Sequence, residues 1–411
     1  MPIEDRFSSP ETIESPYDYY DSLREQAPVY FSPTLGAYFI SRYDDVRQVL
    51  SNPDIFSSSP RASEQMFTNF AEKYQFIYRD KGTCPPLQTL VTTDGDTHRR
   101  YRRAVDRTFS PKALQALAPL VDATIDSLID TFIDLESVDI YQEFCLKLPL
   151  YVICDVVGLP HGDAALLRRG ADAAARLAVA ALESEETKVA LHNELADLHL
   201  YFQRYIDKYR AAPADNLLSR LIHTVPEDGT PLDDQELISL LTVLNVGGNE
   251  TTTNGLGNTF LLCFGNPEQQ RRLRDDPTQI PTFVEEALRL ESPVAALPRW
   301  VTRDTRIGDV AVPAGSCVQV SYAAANRDGK QFGCPAHLDT QRADVKKHMA
   351  FGYGPHFCVG SMLARLEIHK SLARLLERTS DIRIDNGDEP LRHDCKLVVR
   401  ALESLPIRLS L

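Results

Sequence analysis

The chain has 411 residues, 43% of them hydrophobic, and 58 acidic against 44 basic side chains, a formal charge of -14. This is apolar content enough for a sizeable core, and the acidic balance excludes nucleic acid and anionic membrane as partners. The 8 cysteines are scattered with no C-x-x-C pair, which argues against a disulfide framework or a structural zinc site and for a reducing compartment.

The start, MPIEDRFSSPET, is polar, and no uninterrupted apolar run approaches the roughly 18 residues of a membrane span, so a cytoplasmic protein with no membrane partner is expected. No linker, low-complexity run or internal repeat interrupts the chain, which predicts one domain over 1–411; a monomer is the expected state. YDYYDSLREQ reads as the first clear helix, PVYFS and GAYFISR as short strands, and 44–50 as another helix. The piece EQMFTNFAEKYQFIYRD carries Phe67, Phe70, Tyr74, Phe76 and Tyr78 and reads as an amphipathic helix pinned by aromatics. Asp94 then caps a strongly basic helix, on which His98 and Arg102 share one face beside a stripe of Arg99, Arg103 and Arg107. From 113 to 209 the pattern is mostly helical, broken at GLPHGD and near 183–186. The small residues of GADAAARLAVAAL point to helix packing.

Asp233 and Asp234 cap a long periodic run from about Gln235 to Phe264, ended by Gly265, Asn266 and Pro267. Some thirty residues rise about 45 Å, and the two glycines inside GGNETT cost on the order of 1 kcal/mol each against alanine. Such a pair needs a reason: close helix contact, or a gap edged by Thr251. Glu286 and Arg289, three apart in TFVEEALRL, read alone as an ordinary surface ion pair worth little. After Pro293 the alternation implies strands and hairpins, and the tail KLVVRALESLPIRLSL reads as strands. Between them stands FGYGPHFCVG, residues 351–360, followed by the helical SMLARLEIHKSLARLLER. Its glycines favour a tight preformed loop, and Cys358 falls at or just before a helix N-terminus, where the thiolate is favoured. From the residues alone, Cys358 is a metal ligand, a nucleophile or a buried cysteine in a turn.

The loop resembles the cysteine-ligand loop of the cytochrome P-450 family, whose pattern F-G-x-G-x-H-x-C-x-G is met at Phe351, Gly352, Gly354, His356, Cys358 and Gly360, and the likeness continues at Leu363, Ala364, Arg365 and Glu367. Gly247, Gly248, Glu250, Thr251 and Thr252 resemble the distal-helix motif of the same family. The resemblance implies a mainly α fold with a small β portion, and haem b held by Cys358 as axial ligand of the iron. It also implies His98, Arg102, Arg299 and His356 as propionate partners, Gly247 and Gly248 as the gap beside the iron, and Glu250 and Thr251 as the proton relay. Glu286 and Arg289 become a structural element closed by Arg342. Asn326, Arg327 and Asp328 match a further family element.

The implied activity is monooxygenation, a hydroxylation or an oxidative O- or N-dealkylation of a small hydrophobic or aromatic substrate. Electrons come from NAD(P)H through a reductase and a ferredoxin docked near Arg99, Arg100, Arg103, Arg107 and Arg365. Phe67, Phe70, Val243, Leu244, Val294, Ala295 and Leu297 are expected to line the substrate pocket. The rival readings are a peroxide-driven peroxygenase of the same fold and a non-catalytic haem sensor or carrier.

Overall fold

The computed structural model describes residues 3–60, 64–178, 183–225, 229–387, 389–395 and 398–411, with the side chains of 64–72 and 394–395 also outside the description. The chain groups into two compact units, one made of 1–58, 122–148 and 251–411 and the other of 59–121 and 149–250. The chain passes between them without a linker, three times inside a helix: Pro111–Asp130, Leu148–Val157 and Asp234–Phe264.

The first unit holds every named strand. Its main sheet runs Val29–Ser32, Ala37–Ile40, Cys317–Ser321, Ala296–Val301 and Phe56–Ser57, antiparallel except where Tyr38, Phe39 and Ile40 pair in parallel with Val318, Gln319 and Val320. β-Branched and aromatic residues suit such a pleated, half-buried surface. Val46, Val49, Phe56, Val301, Val318, Val320 and Phe332 form the core beneath it. A three-stranded sheet pairs Pro406–Ser410 with both Ser137–Asp139 and Asp381–Ile384. Ser137–Asp139 lies where the sequence reads as mostly helical, and the C-terminal strand accounts for the difference by supplying its ladder.

Two buried ionic clusters brace this unit. Glu286 and Arg289 are both fully buried, with Nε and Nη2 of Arg289 each 2.7 Å from the carboxylate, and Arg342 Nε 3.1 Å from it. The remaining guanidinium donors reach the carbonyls of Asn326, Pro335 and Gly333. A buried charge group is tolerable because every member is paired. Beside them Asn326 donates to Ser292 Oγ and accepts from the Met349 amide, while Asp328 accepts from the Tyr43 amide. In the second cluster Glu285 accepts from Arg365 at 2.6 and 2.8 Å and lies 3.0 Å from His348 Nε2. Burial raises the Glu285 carboxyl, but Arg365 and His348 together outweigh it and hold the group down to about 2. Along the surface Asp122, Asp126 and Asp130 meet Lys370, Arg374 and Arg378 at 2.8, 2.8 and 2.6 Å, a ladder that repeats every four residues on both helices.

The second unit is built of helices. Glu64–Lys81 packs along Glu185–Ala211, where the Tyr78 hydroxyl lies 2.8 Å from His192 Nδ1 and His199 Nδ1 lies 2.8 Å from the Cys84 carbonyl. Burial pulls both histidines down to about 4, so both are neutral near pH 7. A Cβ on Gly170 would come 2.6 Å from Leu198, so the small residues of Ala164–Ala178 serve close helix contact. The long helix Asp234–Phe264 opens with a reciprocal cap, Glu236 N to Asp233 Oδ1 at 2.8 Å and Asp233 N to Glu236 Oε2 at 3.0 Å.

Candidate active site

In the first unit the loop 351–360 is shaped by two glycines in the left-handed region, Gly352 at φ +74° and Gly354 at φ +73°. A Cβ on Gly354 would lie 2.6 Å from the Leu50 carbonyl oxygen, so only glycine fits there. The turn returns through Gly354–His356 to Cys358, whose amide donates to the Phe351 carbonyl at 2.9 Å. The Cys358 carbonyl accepts from Ser361 at 3.4 Å, at the start of the helix Ser361–Arg378. Cys358 is half-buried, whereas Cys145, Cys154 and Cys263 are buried in apolar packing. Burial pushes the thiols of Cys154 and Cys263 up to about 12, which leaves them inert.

Arg299, on the strand Ala296–Val301, is 6% exposed. Its Nη1 donates to the Pro298 carbonyl at 2.7 Å, and among the described residues no carboxylate pairs with it. It neighbours the fully buried Tyr322, whose hydroxyl burial pushes up and Arg299 pulls back. A buried guanidinium without a counter-charge is costly, so this position calls for an anion, as a haem propionate supplies. His356 stands half-buried on the cysteine loop. In the second unit Asp94 stands at the N-cap position of the helix Gly95–Asp106 without the expected side-chain cap hydrogen bond, accepting instead from the Ser59 amide at 3.4 Å; on that helix His98 is buried and the half-buried Arg102 donates through Nε to Asp106 at 2.7 Å.

The long helix carries the most informative surface. Between Leu237 and Phe260 the positions that are not buried are Val243, Val246, Gly247, Gly248, Glu250 and Thr251. Five of them, all but Gly248, follow the spacing i, i+3, i+4, i+7, i+8 and form one face. A Cβ built on Gly247 meets no atom within 4 Å. Gly248 corrects the expectation of a two-glycine gap: its Cβ direction points at Ile153, 3.3 Å away, so it serves helix contact. Within the first unit the uncompensated Arg299 and the half-buried Cys358 fit a haem group, and the long helix, taken by itself, offers open space at Gly247 with a carboxyl and a hydroxyl on the same face.

Two expectations about the pocket change, and one lies outside the described side chains. Leu244 is buried, and Val246, one step along the open face and missed in the sequence, takes its place; its i+3 spacing from Val243 was the available signal. Ala295 packs with Tyr19, Tyr20, Leu23, Phe39, Ala323 and Ala324 in an N-terminal cluster, whereas Val294 and Leu297 stay half-buried. Phe67 and Phe70 lie on the helix Glu64–Lys81, but their side chains are outside the described residues. The basic stripe changes too. Arg99, Arg103 and Arg107 are exposed, while Arg100 pairs with Glu236 and caps the Thr230 carbonyl, and Arg365 is committed to Glu285 and stacks over Phe351. Those two commitments remove Arg100 and Arg365 from the expected docking set.

The sequence profile of the cytochrome P-450 family matches residues 184–280 and 278–409. Cytochrome P-450 107B1 of Saccharopolyspora erythraea is 36% identical over 397 residues, covering 95% of this chain and 94% of the relative. Among solved structures, CYP109E1 from Bacillus megaterium in complex with testosterone superimposes with a TM-score of 0.84 at 30% identity, covering 98% of this chain and 99% of that one. Cytochrome P-450 CREJ in complex with (4-ethylphenyl) dihydrogen phosphate superimposes with a TM-score of 0.88 at 26% identity, covering 96% and 97%. The cysteine loop, the open helix face and these full-length likenesses converge: the chain belongs to the cytochrome P-450 family of haem b monooxygenases.

Proposed function

We propose that the protein, acting as one haem domain over 1–411, inserts one oxygen atom from O2 into a small hydrophobic or aromatic substrate, by hydroxylation or oxidative dealkylation. Electrons are drawn from NAD(P)H through a ferredoxin reductase and a ferredoxin. The observation that carries the reading is the single open face of the long helix, where Gly247 leaves space and Glu250 and Thr251 put an acid and a hydroxyl on the same side. Cys358 would hold the haem iron through its thiolate, and Arg299, His356, His98 and Arg102 would hold the propionates. When bound, the haem supplies oxygen activation, and the strong electron donation of a thiolate ligand favours O–O cleavage.

The chain's own work is to deliver protons and exclude water. Glu250 takes a proton from solvent and passes it to an ordered water held by Thr251 Oγ1, so the two protons the reaction consumes arrive in order. Val243 and Val246 make the open face of the long helix apolar beside Gly247, which favours a hydrophobic substrate. That one similar protein was solved with testosterone supports an apolar substrate, and that another was solved with (4-ethylphenyl) dihydrogen phosphate shows that the fold also takes an aromatic ring bearing a charged group. Arg103 and Arg107 form the reduced docking stripe for an acidic ferredoxin, since Arg99 pairs with Asp96. The absence of any described helix long and apolar enough to cross a membrane, together with the cysteine usage, supports a cytoplasmic setting.

The test is Thr251→Ala in the haem-loaded protein, supplied with a ferredoxin, its reductase and a substrate found by screening haem absorption. NADH consumption is expected to continue while product per NADH falls and hydrogen peroxide rises. Full coupling in the variant removes the assigned relay, and failure of Cys358→Ser to abolish the red-shifted carbonyl absorption of the reduced protein removes the ligand assignment.

A further inference from the structure

The helical unit has a second concavity that shares no residue with the site described above. It opens where the turn His161–Asp163 meets the helix Glu185–Ala211, has a volume of about 300 Å³, and is lined by Asp163, Tyr201, Arg204, Tyr205 and Lys208. The helix builds it by spacing: Tyr201, Tyr205 and Tyr209 recur every fourth residue, and Arg204 and Lys208 stand one position before the last two. The Tyr201 and Tyr205 rings lie 5.0 Å apart, and the Tyr201 hydroxyl donates to Asp163 at 2.9 Å.

The two cations are held by rings. Arg204 sits 5.3 Å from the Tyr201 ring centre, and Lys208 lies 5.2 Å from the ring centres of both Tyr205 and Tyr209. Among the described residues neither has a carboxylate partner, in a chain whose acids outnumber its bases by 58 to 44. Neighbouring cations do find acids: Arg210 pairs with Asp234 and Asp207, and Arg169 with Glu194. The lone carboxylate of the pocket, Asp163, is already engaged by Tyr201. Cation–π contact orders the two head groups while leaving their N–H donors directed to solvent. The result is a preorganised anion site on aromatic walls, with one acceptor at its edge.

We propose that this pocket binds a small hydroxylated phosphomonoester of the sugar phosphate kind. The phosphoryl group bridges Arg204 and Lys208, matching two positive charges with a dianion. The ring lies against the Tyr205 face, and a hydroxyl donates to Asp163. A hydroxylated phosphate could also arrive as a lipid headgroup, and the vesicle arm of the test separates that source from the free molecule.

The test uses full-length, haem-loaded protein and isothermal titration with glucose 6-phosphate at low ionic strength, with glucose as the neutral control. One equivalent is expected to bind with an affinity that falls as salt is raised, and glucose is expected to give no heat. The pair Arg204→Gln and Lys208→Gln should weaken binding by about tenfold or more, with the haem absorption and thermal midpoint unchanged because both side chains are exposed. Tyr205→Leu should weaken glucose 6-phosphate more than inorganic phosphate. Equal affinity in the double variant, no saturable heat in the wild type, or binding only to vesicles bearing a phosphoinositide would each overturn the proposal. None of these readouts depends on monooxygenase turnover, so the result stands apart from the proposed reaction.

Discussion

A glycine in the interior of a helix costs about 1 kcal/mol relative to alanine, through lost backbone freedom in folding. At Gly247 that cost is not offset by close packing, because a Cβ there meets nothing within 4 Å. Gly247→Ala should therefore stabilise the protein by about 1 kcal/mol, raising the denaturant midpoint with no change in slope. The same methyl intrudes on the open face between Val243 and Thr251, where the proposed chemistry takes place. Turnover should fall about tenfold, equivalent to about 1.4 kcal/mol of lost transition-state stabilisation. Gly248→Ala is the internal control: its Cβ would lie 3.3 Å from Ile153, so it should gain less stability or lose some. The assays are urea unfolding followed by circular dichroism, and steady-state product formation. A Gly247→Ala protein that is less stable, or more stable with full activity, refutes the claim that function keeps this glycine.

Glu286→Ala leaves Arg289 and Arg342 buried without their carboxylate and should destabilise the fold by about 3–5 kcal/mol, measured by denaturant unfolding of the haem-loaded protein. Arg103→Glu should slow reduction by ferredoxin and flatten its salt dependence while substrate affinity, read from haem absorption, stays constant. His199 is held at about 4 by burial, below its unfolded value of 6.5, so the unfolded chain binds more protons between those limits. Stability should therefore fall as pH drops from 6.5 towards 4, by about 3 kcal/mol at most, and His199→Gln should flatten that part of the profile in pH-dependent urea unfolding. Glu285 acts in the next window: held at about 2 against a usual 4.5, it contributes stability that is lost as pH falls from 4.5 to 2, and Glu285→Gln should remove that limb.

What could be read from the sequence was local. The glycines of FGYGPHFCVG announce a tight loop because a positive φ at Gly352 and Gly354 is a property of single residues. The long helix was bounded by its own chemistry, an aspartate and glutamate cap at one end and Gly265 to Pro267 at the other. What stayed hidden depends on partners far along the chain. Ser137–Asp139 becomes a strand only because Ile407 and its neighbours pair with it. Val294 and Ala295 are adjacent just before the strand Ala296–Val301, yet Ala295 packs into the N-terminal aromatic cluster while the half-buried Val294 packs against the core under the main sheet, a division set by elements distant in sequence. Gly247 and Gly248 differ for the same reason, since Ile153 sits opposite only one of them.

Charge shows the limit most clearly. A count of arginines suggests a uniform basic stripe over 99–107 and at Arg365, yet each guanidinium is spent according to which acid folding brings near. Arg100 goes to Glu236 and Arg365 to Glu285, both distant in sequence, whereas Arg99 and Arg102 find Asp96 and Asp106 within one turn. Only the last two pairings are visible as spacing. In an acidic chain, then, the cations available to an outside partner are a remainder after internal pairing, and net charge predicts neither their number nor their place. Arg204 and Lys208 belong to that remainder because tyrosine rings, which attract a cation without neutralising it, hold them in place. A search for binding surfaces in proteins of this charge is therefore better aimed at cations seated on aromatic faces than at basic runs in the sequence.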